Sequence, residues 1–163
     1  MVKGFTLIEL LATLFIASLT CALSIPALAQ MIEKNRVESD VLTITSIVQT
    51  ARSKAISQKI FITICGKSSE LICSKDWREI TVLDKESKQP LHEAKLQAKY
   101  TSVKWSAFQN KSGLTISPTG FTHHQNGTLY LCHYNASLNR AIVVSKSGRL
   151  TVMKQSPKLQ QRC

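Results

Sequence analysis

A run of twenty uncharged and mostly apolar residues near the start of the chain constrains its fold most. Residues 10–29 read LLATLFIASLTCALSIPALA. A helix of this length would measure roughly 30 Å at about 1.5 Å rise per residue, which matches the hydrocarbon layer of a bilayer. Glu9 directly precedes the run and is the only charged residue between positions 5 and 31. Because an ionised carboxylate at that depth is costly without a partner, the run predicts a membrane helix or a signal segment, and Glu9 predicts a functional contact.

The residues just before the run carry a processing motif. Residues 3–9 read KGFTLIE: a basic leader that ends at Gly4, then Phe5, then Glu9 at the fifth position of the new chain. This pattern resembles the prepilin-peptidase site of type IV pilins and type II secretion pseudopilins, and Pro26 stands where many pilins carry a proline. The resemblance implies cleavage between Gly4 and Phe5, N-methylation of Phe5, and retention of the helix as the filament core. It also implies that Glu9 neutralises the Phe5 ammonium of a neighbouring subunit.

Two other interpretations of the same segment remain open. Ala27-Leu28-Ala29 before Gln30 has the small-x-small form of a signal-peptidase site, and an uncleaved single-pass anchor would have the same composition. Glu9 beside the apolar run disfavours a secretory signal, as does a run longer than the usual roughly 7 to 15 residues. The mature amino terminus separates the three cases, since it would be Phe5, Gln30 or Met1.

The charge of the chain is strongly asymmetric. The formal net charge is +11, and all ten acidic residues lie at or before Glu93. Residues 94–163 contain ten Lys or Arg and no acidic residue. With 163 residues there is room for one membrane helix and one domain of roughly 100 to 130 residues. The sequence therefore predicts one head domain with a cationic distal half.

Four of the five cysteines lie beyond the apolar run, where an exported domain would allow disulfides. They allow three pairings, and their spacing favours Cys65 with Cys73 and Cys132 with Cys163. Cys21, within the run, is expected to be a small buried apolar residue. Zinc is the alternative for the four cysteines, but the sequence lacks a CxxC pair or a Cys/His ligand spacing, so no metal site is predicted.

The helical pattern continues beyond Pro26, where we expect a bend or local unwinding. Apolar residues then recur at three- and four-residue steps, and they are Val37, Val41, Ile44, Val48, Ala51 and Ala55. The predicted organisation is a leader at 1–4, a transmembrane or filament-core helix at 5–29, its amphipathic half at 30–57, and a β-rich head with a basic C-terminal tail at 58–163.

Period-two and β-branched patterns predict the strands of the head, at 59–65, 78–83, 102–108, 114–117, 128–133, 140–145 and 149–154. Residues 91–100 are predicted as helix or irregular structure. Asn126-Gly127 and Ser147-Gly148 are turn dipeptides, and the first is a strong hairpin signal. The fold class is α+β, with a long N-terminal helix packed on an antiparallel β-sheet head.

Further motifs in the head have a recognisable order and spacing. They are Cys65 and Cys73 ahead of Trp77, then ISPTGF at 116–121, NGTLYLC at 126–132, AIVVS at 141–145 and GRL at 148–150. Together with the N-terminus they resemble the FimT/FimU/GspH branch of minor pilins and pseudopilins, which have a type IV pilin-like fold. The resemblance implies a non-enzymatic subunit that contributes to pilus assembly or protein secretion.

The same resemblance sets the expected surroundings of the chain. Its partners would be prepilin peptidase, other major and minor pilins or pseudopilins, and the bacterial inner membrane, with the head in the periplasm and no cofactor. The residues themselves show no catalytic constellation: no serine lies in a nucleophile elbow and no glycine-rich loop binds phosphate. His123, His124 and His133 are interpreted as exposed loop histidines rather than as metal ligands.

The basic distal half allows two interpretations. If the chain reverses at Ser147-Gly148, one patch would contain the basic residues Arg140, Lys146, Arg149 and Lys154, with Lys158 and Arg162 following in the tail. Such a patch could bind phosphates without reading sequence. Some members of the FimT branch bind DNA during natural transformation through a Gly-Arg-x-Arg sequence; residues 148–151 read GRLT here, so Thr151 replaces the second arginine. The alternative is a basic face that keeps the head soluble or meets acidic subunits or anionic lipid.

Overall fold

The computed structural model describes residues 4, 6–68, 73–122, 125–154 and 156–163, and the chain divides into two compact units, Met1–Asn35 and Arg36–Cys163. The long helix α1, Leu7–Gln58, begins in the first unit and ends in the second. Its end lies within one residue of the expected position 57.

In the first unit, α1 presents its apolar side chains outward. Every described side chain from 7 to 32 is exposed, including Leu7 at 78% and Ile8 at 73%. The helix is long and apolar enough to cross a membrane, with a mean hydropathy of 2.0 over its most apolar 18 residues. A bend or local unwinding was expected at Pro26; the helix continues through this residue, so it does not unwind there. Cys21 was expected to be buried but is exposed, like the other described side chains between 7 and 32.

The second unit contains two antiparallel four-stranded sheets, counted over the described residues. The first sheet has the order β3-β2-β1-β5 and the second has the order β4-β6-β7-β8. The strands are β1 (Ile62–Gly66), β2 (Glu79–Asp84), β3 (Pro90–Lys95), β4 (Tyr100–Ala107), β5 (Gly113–Ile116), β6 (Gly127–His133), β7 (Arg140–Val144) and β8 (Leu150–Met153). A short helix α2, Pro157–Arg162, follows β8.

The core of the second unit lies between α1 and the sheets. The apolar positions predicted from the helical period are all buried, with Val37 and Ala55 at 0% exposure. All of them except Val37 pack in one cluster with buried strand residues such as Ile62 and Leu131. Trp77 and Trp105 stack within this cluster, with ring centroids 5.1 Å apart. The amphipathic part of α1 is therefore an integral part of the head.

Two local predictions were wrong, and one element was not predicted. Residues 91–100 were expected to be helical or irregular, yet β3 occupies residues 91–95 as an edge strand and β4 begins at Tyr100. Asn126-Gly127 was expected to form a hairpin turn, but Gly127 is the first residue of β6 and pairs with Ala107 and Val144. The preceding strand, β5, pairs with β1 in the other sheet, so this segment crosses between sheets. The helix α2 was not predicted.

Both disulfides have the pairing that the cysteine spacing favours. Cys65 at the end of β1 is bonded to Cys73, eight residues later, with Cα atoms 5.4 Å apart. Cys132 on β6 is bonded to Cys163, 31 residues later, with Cα atoms 5.2 Å apart. The second bond fastens the C-terminal helix α2 to the second sheet.

Candidate assembly and partner-binding surfaces

Glu9 closes the first turn of α1 together with Thr6. The Thr6 backbone N–H donates to Glu9 Oε2 at 2.9 Å, and the Glu9 backbone N–H donates to Thr6 Oγ1 at 3.3 Å. These reciprocal contacts form a capping box, which satisfies two backbone donors at a helix start. The Thr-x-x-Glu pattern before an apolar run signals this motif in the sequence, and Thr6 had not been singled out there. Glu9 therefore has a local role besides any contact with another subunit.

The other processing and assembly residues lie on the same exposed segment. Gly4, on the leader side of the predicted cleavage site, is exposed. Phe5, on the other side of that site, lies outside the residues that the structure describes. Pro26 lies within α1, among exposed side chains.

Arg140 was expected on a basic surface but lies buried at the start of β7. It is 4% exposed, and its Nη2 donates to Glu38 Oε1 at 2.8 Å. Its Nη1 donates to the backbone oxygens of Asn139 and Ser137. The hydrogen bond and the charge of Arg140 lower the pKa of Glu38 below its ordinary value. Arg140 is therefore a structural residue that joins α1 to β7.

The remaining basic residues do not form the single expected patch. Ala141 pairs with Met153 and Val144 pairs with Leu150, so Lys154 lies at the Arg140 end of the hairpin, whereas Lys146 and Arg149 lie at its turn. The five residues of β7 separate these ends by roughly 13 Å. Lys154 Nζ is 3.4 Å from Glu38 Oε1, so its charge is partly compensated.

The turn between β7 and β8 does form as the Ser147-Gly148 dipeptide predicts. Ser145 N donates to Arg149 O at 3.0 Å, and Gly148 N donates to Ser145 O at 2.9 Å. Gly148 has φ +77°, a conformation that favours glycine. Lys146 and Arg149 are exposed on this turn. The tail residues Lys158 and Arg162 are exposed on α2.

A further arginine, Arg52 on α1, lies against this turn. The Cδ and Cζ atoms of Arg52 would each lie 3.5 Å from a Cβ built on Gly148, and its Nε would lie 3.0 Å from a Cβ built on Gly120. Gly120 also has a positive φ, +80°. Two glycines thus leave room for the Arg52 side chain, in a cleft of about 440 Å³ that Arg149 and Gln49 also line.

The histidines do not form a site within the described residues. His133 is 4% exposed rather than an exposed loop residue, because it ends β6 and packs against Tyr100 and Tyr134. Its Nδ1 accepts a hydrogen bond from Asn135 N at 3.0 Å. His123 and His124 lie outside the described residues. The part of the chain that the structure describes contains no group of three His, Cys, Asp or Glu side chains placed to hold a metal.

A long helix with an apolar first half, followed by an antiparallel β-head into which the second half packs, is the architecture of a pilin-like subunit. Comparison with protein families gives a match to the type II transport protein GspH over residues 41–148. The chain belongs to this family of pseudopilins and minor pilins, which are structural and non-enzymatic. Comparison with curated proteins gave no match.

Solved structures support the same fold. A crystal structure of the type IV minor pilin FimU from Pseudomonas aeruginosa PAO1, in space group P21, has a TM-score of 0.56 at 22% identity and covers 74% of this chain and 90% of that chain. A second FimU structure, in space group P65, has a TM-score of 0.52 at 21% identity and covers 71% and 91%. At these identities the similarity concerns the fold alone. The expected pilin-like class and the α+β architecture are confirmed.

Proposed function

We propose that the chain is a minor structural subunit of a type IV pilus or type II secretion filament and contributes to pilus assembly or protein secretion. The observation that carries this proposal is the exposed apolar surface of α1 between residues 7 and 32. Such a surface is stable in lipid or against other apolar helices, and it is costly in water. Before assembly α1 would hold the subunit in the bacterial inner membrane, with the head in the periplasm. Within a filament the same surface would pack against neighbouring subunits.

The proposal includes processing by prepilin peptidase between Gly4 and Phe5, followed by N-methylation of Phe5. The segments would then be a leader at 1–4, a membrane and filament-core helix at 5–29, an amphipathic half at 30–57 and the head at 58–163. Mass spectrometry of the protein purified from its native membrane tests this step. We expect a mature chain that begins at methylated Phe5, and a chain that begins at Met1 or Gln30 contradicts it.

Glu9 carries the assembly step of the proposal, through its contact with the Phe5 ammonium of a neighbouring subunit. The capping box provides a way to separate this role from helix capping. Glu9→Gln keeps the capping geometry, because glutamine is also accepted at this position, but it removes the charge. Glu9→Val removes both. We expect both variants to be inserted and processed and to be lost from filaments, measured by immunoblotting of membrane and sheared-filament fractions.

The two Glu9 variants have distinct outcomes. Loss of incorporation in both identifies the charge as the essential property. Normal incorporation of Glu9→Gln contradicts the proposed ion pair, and normal incorporation of Glu9→Val contradicts any role of Glu9 in assembly. Thr6→Val is the matched control for the cap, since it removes the Thr6 hydroxyl and leaves the Glu9 carboxylate in place.

A second candidate function is DNA binding by a minor pilin that acts as a receptor in uptake for natural transformation. Its support is the exposure of Lys146 and Arg149 on the β7–β8 turn, with Lys158 and Arg162 exposed on α2. Gel-shift of the purified chain with duplex DNA over a salt series tests it. Affinity should fall with salt, and an Arg149→Gln, Lys146→Gln double variant should bind more weakly. Equal binding by the double variant contradicts a receptor role for this turn.

A further inference from the structure

We infer that the cleft around Arg52 and Arg149 is a binding site for a carboxylate side chain of another filament subunit. The cleft lies between α1 and the β7–β8 turn, and Gln49 and Ser147 complete its polar lining. This inference rests on the proposed function and names the chemistry by which one assembly partner would be recognised.

The arginines of the cleft lack partners of their own. Among the described residues, neither the Arg52 nor the Arg149 side chain makes a hydrogen bond or an ion pair. Arg52 is half-buried, and its side chain lies against Gly120 and Gly148. Arginine presents a planar set of donors that matches a carboxylate in a bidentate contact. An incoming carboxylate would therefore replace water on donors that have no acceptor among the described residues.

The local backbone keeps the cleft open for a ligand. Gly120 and Gly148 both have positive φ, and a Cβ built on Gly120 would lie 2.8 Å from Ile56 Cδ1. The Gly148 Cβ position is 3.0 Å from the Gly120 oxygen. A side chain at position 120 would displace Ile56 or Arg52, and a side chain at position 148 would crowd the Gly120 oxygen. The cation is thus held at the surface by a turn that requires glycine on both sides.

The apolar surroundings favour a protein partner over a nucleic acid. Ile56 is 40% exposed beside Gly120, and Phe121, the next residue after Gly120, is 50% exposed. Arginine beside exposed aromatic and aliphatic side chains is typical of the centre of a protein interface. A phosphate backbone would leave these apolar groups without contacts.

A second copy of this chain is a poor source of the carboxylate. Among the described carboxylates of the head, four form ion pairs within the chain, namely Glu38 with Arg140, Asp76 with Arg78, Glu79 with Lys95 and Glu93 with Lys67. A chain of net charge +11 also repels its own copies. The partner is therefore a different subunit with an exposed Asp or Glu beside an apolar side chain.

Photocrosslinking in the native cells tests the inference. A photoreactive phenylalanine analogue replaces Phe121 in the full chain, and the adduct is mapped by mass spectrometry. We expect an adduct within a few residues of an Asp or Glu of another subunit that has a prepilin-type N-terminus. Arg52→Gln and Arg149→Gln should each lower its yield by about tenfold, the effect of losing one charged contact of a partly desolvated interface. Lys111→Gln is the matched control, since Lys111 is an exposed cation just before β5, and it should leave the yield unchanged.

Several results overturn the inference. These are an adduct with DNA, lipid or a second copy of this chain, the absence of an adduct, and a yield that does not depend on Arg52 or Arg149. Arg149 is exposed, so its variant remains informative if Arg52→Gln lowers the stability of the head. Filament fractions from the same cells separate this inference from the proposed function. A subunit that enters filaments normally but gives an adduct independent of both arginines refutes the carboxylate site alone.

Discussion

Arg140 and Glu38 form an ion pair whose two partners differ in exposure. The side chain of Arg140 is 5% exposed and that of Glu38 is 34% exposed. Removing the carboxylate would leave a buried guanidinium that keeps only its bonds to two backbone oxygens. Removing one partner of a buried ion pair lowers the stability by more than the intact pair contributes, because the remaining charge stays buried without a partner.

Glu38→Gln should therefore lower the free energy of unfolding by about 2 to 3 kcal/mol, at the lower end of values for a buried pair because Glu38 is partly exposed. Urea denaturation followed by tryptophan fluorescence measures it, because Trp77 and Trp105 are both buried in the head. Lys154→Gln is the control, since Lys154 is 67% exposed, and it should cost less than about 1 kcal/mol. Equal effects of the two variants would contradict the structural role of Arg140.

The same pair predicts a pH dependence of stability. Hydrogen bonding and charge from Arg140 lower the pKa of Glu38 below its ordinary value of 4.5, so the folded state binds fewer protons than the unfolded state near that pH. This contribution is fully present above the ordinary pKa and is lost as the pH falls through the lowered one. Urea midpoints at pH 6 and pH 4 should differ less in Glu38→Gln than in the original chain. An unchanged difference would show that the titration of other groups, such as Asp76, accounts for the acid sensitivity.

The role of a residue could be predicted from the sequence when its contact partners lie close to it in the sequence. Glu9 could be singled out because it stands alone beside an apolar run, and the Thr6 partner lies three residues away. Arg140 could not, because its partner Glu38 is 102 residues away and nothing local distinguishes a buried arginine from an exposed one. Arg52 could not be singled out for the same reason, since the glycines against which it packs, Gly120 and Gly148, lie far away in the sequence.

At the scale of elements, the long helix α1 and the other strands were easier to predict than the edge strand β3. β3 contains Pro90, His92, Glu93 and Lys95, a composition that reads as loop or helix. It is a strand because its neighbour β2 offers a ladder and because Lys95 pairs with Glu79 across it. Charged side chains and a leading proline are common devices of edge strands. The hydrophobic periodicity of a sequence arises from burial of one face of an element, so a strand that is mostly exposed shows little of it.

The two disulfides should differ in how much they stabilise the head. The bond Cys132–Cys163 closes a longer loop than Cys65–Cys73, with separations of 31 and 8 residues. By loop-closure entropy, the longer one contributes about 3.7 kcal/mol and the shorter one about 2.5 kcal/mol. Paired Cys→Ala variants of each bond, compared by urea denaturation, should show the larger loss for the longer loop.

Limited trypsin digestion gives the accompanying control for the disulfide variants. Loss of Cys132–Cys163 should expose cleavage after Lys158 and Arg162, because α2 is then held mainly by its buried Leu159. Loss of Cys65–Cys73 should leave this tail protected. Rapid tail cleavage in the chain with both bonds intact would contradict the proposed fastening of α2.

For the whole molecule, the two units, Met1–Asn35 and Arg36–Cys163, differ in whether their apolar side chains are exposed or buried. Among the described residues, every buried apolar side chain lies between Val37 and Leu159, whereas the large apolar side chains from 7 to 32 are exposed. Under the proposed function, the subunit would leave a membrane and join a filament, which requires a helix with an exposed apolar surface. The amphipathic half of α1, in contrast, packs into the core of the head.

This division predicts different fates for two truncated chains. A fragment 30–163 should fold without detergent and unfold at the same urea concentration as the full chain, because it retains all the buried apolar residues of the described head. A fragment 59–163 should remain unfolded, since it loses six side chains from the core, namely Val41, Ile44, Ile47, Val48, Ala51 and Ala55. Removing even one large core side chain costs about 2 to 5 kcal/mol, and a domain of this size has a total stability of about 5 to 15 kcal/mol. Tryptophan fluorescence and circular dichroism distinguish the outcomes, and a cooperative transition in the shorter fragment would contradict the assignment of α1 to the head.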